Sequence, residues 1–341
     1  MSAKDNAPIT NIHSLFQKNG IERWGLAPLA YQSVEAYRNW LEKNLFGDMK
    51  YLREHLPIKE NPQSHFPGLT HAIVFAASYL PSRGPITSLP IAKYANQPDY
   101  HLWFKNQLKA VCADLTNQFP QNLFLPMVDS GPILERDLAY QAGLGWIGKN
   151  TCVIDRNAGS FFFIGEILTN LTEIDKAPLP AHFHCGTCTR CLDACPTGAL
   201  EEPFFLNPQK CISYWNIEAK SIPPPPLRKA VGQYFFGCDI CQDVCPWNLK
   251  IHREQLHVRW SANEPALSEL TEILRASHKA LQRKFFGTPL SRARPIGLKR
   301  NALLVIAHHQ LISLRAEVLR YRDHPELAEL AAWTVAALDD L

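Results

Sequence analysis

Eight of the ten cysteines in this 341-residue chain fall between Cys185 and Cys245, at spacings that few metal chemistries use. Cys185, Cys188, Cys191 and Cys195 are separated by two, two and three residues, and Pro196 follows directly. This is the bacterial ferredoxin run, in which three thiolates reach three irons of one 4Fe–4S cubane from a single wrapping loop. The fourth cysteine starts a segment leading away, and it reaches a second cluster. Cys238, Cys241 and Cys245-Pro246 form the second half, with Cys211 alone upstream. Eight thiolates are what two cubanes require. In the crossed arrangement Cys185, Cys188, Cys191 and Cys245 hold one cluster, and Cys195, Cys211, Cys238 and Cys241 hold the other. Zinc also takes paired cysteines, but a zinc ribbon needs four ligands and does not favour this run. Cys112 and Cys152 are left over and read as buried apolar residues.

Two clusters in series pass electrons singly, and a carrier needs only a small metal-stapled domain. Here about 180 residues precede the cysteines, which directs the search to a second centre. Asp129 ends the apolar stretch Leu123–Val128, where a strand would fix an acid and the following loop would open a crevice. An equal alternative is a helix cap for Ile133–Ala142, by Asp129 or by Ser130. Tyr100 and His101 are candidate proton donors beside Pro98. The glycine-rich run Gly143–Asn150 ends in Lys149-Asn150 but has the wrong spacing for a Walker A loop. Between Lys279 and Asn301 stand seven basic residues and no acidic one: Lys279, Arg283, Lys284, Arg292, Arg294, Lys299 and Arg300. Such a segment attracts phosphate backbones even though the formal net charge is only +3.

The elements that must position these groups are mixed. Ala72–Tyr79 reads as a buried strand, His101–Asn117 as a helix, and Cys152–Asp155 with Phe161–Leu168 as a hairpin. Pro223 to Pro226 predict a stiff extended connector. Beyond Glu264 the pattern is helical, like a short hairpin of the HEAT type. The expectation is an α+β protein with segments at 1–178, 179–252 and 253–341. No secretory signal follows Met1, no apolar run reaches the roughly 20 residues of a membrane span, and cysteines set for metal favour a cytoplasmic monomer.

Several blocks, in order along most of the chain, resemble the epoxyqueuosine reductase family: Val128–Arg136, Gly143–Asn150, Cys185–Gly198, Cys211–Tyr214, Gly237–Asn248, Gly287–Leu290 and Arg300-Asn301. The resemblance implies a cobalamin-binding domain of nitroreductase-like fold, a ferredoxin-like two-cluster domain and a helical C-terminal region. It implies reduction of epoxyqueuosine to queuosine at the wobble position of tRNA, with the anticodon arm and an electron donor as partners. Asp129 matches the family's proton donor, with Tyr100 and His101 nearby. Lys149, Asn150, Ser160 and Ser213, along with Asp129, fall at positions expected to face the cobalamin. Arg136, Arg292, Arg294, Lys299 and Arg300 are expected at the RNA. Asn96-Gln97-Pro98 departs from the family's glycine-containing stretch, and the helical end is short. Two rival readings are a corrinoid enzyme of the reductive dehalogenase kind, which has no use for the basic segment, and a bare electron-transfer module.

Overall fold

The structure is a computed structural model and describes residues 12–80, 85–129, 131–172, 174, 182–256 and 260–339. Alternating side chains on one strand set its architecture. In β2 (His71–Ser78), Ile73 and Phe75 face one side while Ala72 and Val74 face the other, and all four are buried. A strand buried on both faces must be sandwiched. β2 lies between β1 (Arg23–Pro28) and the long strand Phe162–Thr169, whose far edge carries β3 (Phe124–Met127); every pairing is antiparallel. Helices Ile12–Lys18 and Tyr100–Gln118 cover one face through Phe16, Phe104, Leu108 and Leu115. Helix Glu135–Gln141 covers the other through Leu138 and Ala139.

Two short strands follow that helix, β4 (Trp146–Ile147) and β5 (Val153–Ile154), and they pair with each other. The hairpin expected between Cys152–Asp155 and Phe161–Leu168 is therefore a correction. Phe162–Thr169, which is β6, instead joins the main sheet. Each run alternates well enough for a strand, but pairing is set by the tertiary partner.

The cysteine block contains helices Arg190–Asp193, Ile240–Asp243 and Pro246–Leu256, and a small ladder of β7 (Leu200–Glu202) with β8 (Phe205–Leu206). Pro223 to Pro226 are not one extended connector. Pro224 is extended, but Pro225 and Pro226 open the helix Pro225–Val231, where a missing amide hydrogen costs nothing. The C-terminal helices include Glu264–Arg275, Arg294–His308 and Ala328–Asp339; Thr334 donates to the Leu303 carbonyl between the last two. Their core also takes in Leu89, Ala95, Ile212, Phe235 and Phe236 from earlier in the chain. We propose the three-way division as one of role, since these segments share a core; its first boundary, at 178, lies outside the described residues, as does Met1. Among the described residues no helix is long and apolar enough to cross a membrane.

One residue of the sheet breaks the burial rules. Glu166, in the middle of β6, is fully buried and neither carboxyl oxygen has a hydrogen-bond partner. Burial, then the charges of Glu135 and Asp129, hold its pKa well above the ordinary carboxylate value. Burial and the Asp129 charge raise Glu135 to about 8, against the Asp129 amide, Arg136 and Lys59. An acid raised in the folded state contributes its full stability below its unfolded pKa, near 4.3, and loses it as pH rises toward the folded value. Glu166→Gln removes that titration. Its unfolding free energy should fall less than the wild type's between pH 6 and 8.5, by about 1 kcal/mol or more; parallel urea-denaturation curves would refute the assignment.

Candidate functional site

Asp99 sits before the helix Tyr100–Gln118, and its Oδ1 accepts from the His101 amide at 3.0 Å, a cap that fixes where the helix begins. The same oxygen meets His101 Nδ1 at 2.7 Å. On the other side of the ring, Nε2 meets Asp129 Oδ2 at 2.8 Å. Asp129 arrives from the end of β3 with φ +55, in the left-handed region. The result is a continuous Asp99–His101–Asp129 chain linking a helix start to a sheet edge. Asp129 is not the cap of the next helix, which begins at Glu135 after Leu134. Ser130 lies outside the described residues. Tyr100 stacks on Phe163 with centroids 4.1 Å apart, and Tyr94 meets it edge-on at 6.4 Å.

A carboxyl that gives up a proton near neutral pH is ordinarily one raised by burial. Burial does push Asp129 up, but the hydrogen bond and charge of His101, then Tyr100 and Arg292, outweigh it and hold the carboxyl below its usual range. His101 moves the other way, raised chiefly by its hydrogen bond to Asp129 against partial desolvation, with Asp99 adding to the rise. The shared proton therefore rests on the imidazole. Burial, and then the Asp129 charge, raises the Tyr100 hydroxyl, which stays neutral.

The eight cysteines are free thiols. Cys191 feels the charges of Cys185 and Cys245. Cys238 feels Cys211 and Cys195, and Cys241 feels Cys238 and Cys211. One set thus joins Cys185, Cys191 and Cys245, and the other joins Cys195, Cys211, Cys238 and Cys241, each drawn from separate stretches of the chain. Trp146 and Trp247 flank the first set. Beside the second, Asp239 accepts from the Lys93 amide at 2.6 Å and is among the charges acting on Tyr94. Ser213 lies at the Cys211 thiol. Cys112 is core, as read from sequence. Cys152 is not simply core. It hydrogen-bonds Cys241, and that bond, ahead of desolvation, lowers its thiol pKa. Its place two residues beyond Asn150 was the available signal.

The Lys149–Ser160 region turns toward the cysteines. Lys149 Nζ donates to the carbonyls of Gly186 at 2.7 Å and Cys188 at 2.9 Å. Asn150 donates to the Cys241 carbonyl at 3.4 Å. Ser160 Oγ donates to Gln242 at 2.9 Å and accepts from Asn248. Asn150 and Ser160 are 4% and 6% exposed. Both side chains are turned to the cysteine loops and hold them in place. The glycines serve packing: a Cβ on Gly145 would meet the Ile154 carbonyl oxygen at 2.4 Å.

The basic segment also divides. Arg292 pairs with Glu218 through both ends of its guanidinium, at 2.9 and 3.0 Å, and its charge acts on Asp129. Lys284 pairs with Glu272 and Glu269, acids remote in sequence. Arg294 is exposed, and exposed Arg136 donates to the Thr151 carbonyl at 2.7 Å. Lys299 and Arg300, also expected at the RNA, are only 9% and 2% exposed. Lys299 donates to the Leu274 carbonyl, and Arg300 to those of Ala219 and Ser221. Arg300→Met strands the buried Ala219 carbonyl and removes the partner of the part-buried Ser221 carbonyl, and should cost about 2 kcal/mol in urea unfolding while leaving RNA affinity within about twofold. A stable variant with lost RNA affinity would contradict this.

Clustered thiols beside an acid–imidazole–acid chain define an iron–sulfur oxidoreductase. A family model described as a 4Fe-4S double cluster binding domain matches residues 184–248, and one described as epoxyqueuosine reductase QueG, DUF1730, matches 59–130. The chain belongs to the epoxyqueuosine reductase family. It is 33% identical to the epoxyqueuosine reductase of Xanthomonas campestris pv. campestris, covering 95% of this chain and 94% of that one. The Escherichia coli enzyme is likewise 33% identical, over 96% and 90%. A crystal structure of epoxyqueuosine reductase superposes with a TM-score of 0.79 at 26% identity, covering 96% and 91% of the chains. Another, solved with a tRNA-Tyr epoxyqueuosine-modified stem loop, has a TM-score of 0.78 at 26% identity over 97% and 92%. The α+β fold is that of these proteins, including the nitroreductase-like and helical parts.

Proposed function

We propose that the chain reduces epoxyqueuosine to queuosine at the wobble position of tRNA, with two 4Fe–4S clusters held by the eight cysteines and cobalamin bound beside Asp129. The single observation that carries the reading is the Asp99–His101–Asp129 chain at a half-open sheet edge, close to the second cysteine set. Removing the epoxide oxygen as water takes two electrons and two protons. When bound, the clusters and the corrinoid supply electrons at low potential, which for 4Fe–4S centres extends to about −700 mV.

The residues fit these groups. The two thiol sets suit two cubanes, and a half-exposed Asp129 beside the closely packed rings of His101 and Tyr100 offers the polar group and flat wall that suit a large flat macrocycle. The proton path uses this chain's own side chains. Asp99 orients His101, His101 holds the proton at Nε2, and the Asp129 carboxyl takes it across to the departing oxygen. Once His101 has given up its proton, solvent at its half-exposed edge restores it. Tyr100, neutral and stacked on Phe163, fixes the far wall. Arg292, Arg294 and Arg136 remain as the surface cations from the expected RNA set, and a loop nucleotide turns out to reach the pocket at small cost. The electron donor is a separate reductant, and the working form is a cytoplasmic monomer. Expression of the chain in bacteria that accumulate epoxyqueuosine should restore queuosine in their tRNA; unchanged nucleoside composition despite expression would count against the proposal.

A further inference from the structure

Phe286 is 83% exposed, the highest value among the large hydrophobic side chains on the surface of the described residues. Its neighbour Phe285 is 2% exposed and fills the helical core, so the turn cannot turn both rings inward. The backbone on each side is pinned: the Phe286 amide reaches the Arg283 carbonyl, and the Thr288 amide reaches that of Phe285. Gly287 then takes φ +72, and a Cβ there would meet nothing within 4 Å. The fold therefore presents one aromatic ring with open space beside it.

Lone exposed apolar residues are ordinary. This one is set apart by place and company. The Gly287 carbonyl accepts from the Asp99 amide at 2.9 Å, so the turn that carries the ring touches the residue that orients His101. Further along the same loop, Arg292 acts on Asp129. Lys279, Arg283 and Arg294 are exposed around the loop, and none has an acidic partner among the described residues. An aromatic platform amid unpaired cations at the rim of a site is the arrangement that holds unpaired nucleotides, through base stacking and phosphate contact. We infer that Phe286 stacks against an anticodon-loop base flanking the modified nucleotide, while Lys279, Arg283 and Arg294 take the adjoining phosphates. This rests on the tRNA reading above and adds the residue that receives the neighbouring base.

The test uses the cluster-loaded protein and an unmodified anticodon stem-loop RNA, with binding followed by fluorescence anisotropy across a salt series. Phe286→Ala should weaken binding about tenfold and leave the salt slope unchanged; Phe286→Trp should keep the affinity. Replacing Arg283 and Arg294 with alanine should weaken binding and flatten the salt slope. Unchanged cluster absorption shows that each variant is folded. The inference is overturned if Phe286→Ala binds as tightly as a wild type that does bind, or if it loses the same factor on blunt duplex RNA, which offers no unstacked base. If the wild type binds no stem-loop at all, the tRNA reading itself fails and this inference falls with it.

Discussion

Asp129→Asn should lower conversion of epoxyqueuosine by about 10²- to 10⁴-fold and leave the cluster absorption unchanged. The amide keeps the shape of the carboxylate but can no longer take a proton from His101 Nε2 and pass it on, and the 2.8 Å contact becomes a dead end. The pH profile carries a second signature. In the wild type His101 holds its proton above the ordinary imidazole value near 6.5, chiefly because Asp129 accepts from it. The rate should therefore be steady at low pH and fall as pH rises through this raised value. With Asp129 neutralised, the largest cause of the rise is gone, and the residual rate should fall at lower pH than in the wild type. Asp99→Asn should shift the profile the same way by a smaller amount, since Asp99 ranks behind Asp129 in raising the ring. Retained turnover in Asp129→Asn would remove the residue from proton transfer.

Cys211→Ser should cost roughly half of the iron and acid-labile sulfide per chain and abolish turnover, because two cubanes share eight thiolates. Cys211 stands outside both runs, yet its thiol is close to Cys195, Cys238 and Cys241. The crossing is tested by the same measurement on the double variant of Cys185→Ser and Cys245→Ser, which should keep half of the iron if both residues serve one cluster and lose all of it if they serve two. Cys245→Ser should remove the cluster that Cys185→Ser removes, although Cys245 follows Cys241 in sequence, because Cys245 and Cys185 pack together against Trp146 and Trp247. Full iron content in Cys211→Ser would exclude it as a ligand.

What was legible in the sequence follows the range of the interactions involved. Cluster spacing is local covalent geometry, so a double-cluster domain could be read directly, and an acid at the end of a strand was visible from Leu123–Val128. The protonation of Asp129 was not visible. It depends on an imidazole carried in by a helix that begins at Tyr100, and burial alone suggested the opposite sign. Lys299 and Arg300 show the same limit. They stand in a basic run, but the helix Arg294–His308 is buried nearly all round, which the apolar residues Leu298 and Ala302–Ala307 foreshadow. Arg292 and Lys284 had no acidic neighbours in sequence, yet the fold supplies Glu218, Glu269 and Glu272. Asn150 and Ser160 were recognised as part of a functional region, but their partners Cys241, Gln242 and Asn248 lie some 80 to 90 residues away, beyond what pattern can resolve.

The central claim is that this chain delivers electrons and a relayed proton to one modified base. Its most direct test is anaerobic turnover of the protein loaded with iron–sulfur clusters and cobalamin, using a stem-loop RNA that carries epoxyqueuosine and a chemical reductant, followed by nucleoside analysis. Epoxyqueuosine should disappear and queuosine accumulate at one per two electrons consumed. Epoxyqueuosine left intact while the clusters and the corrinoid are fully reduced would contradict that claim.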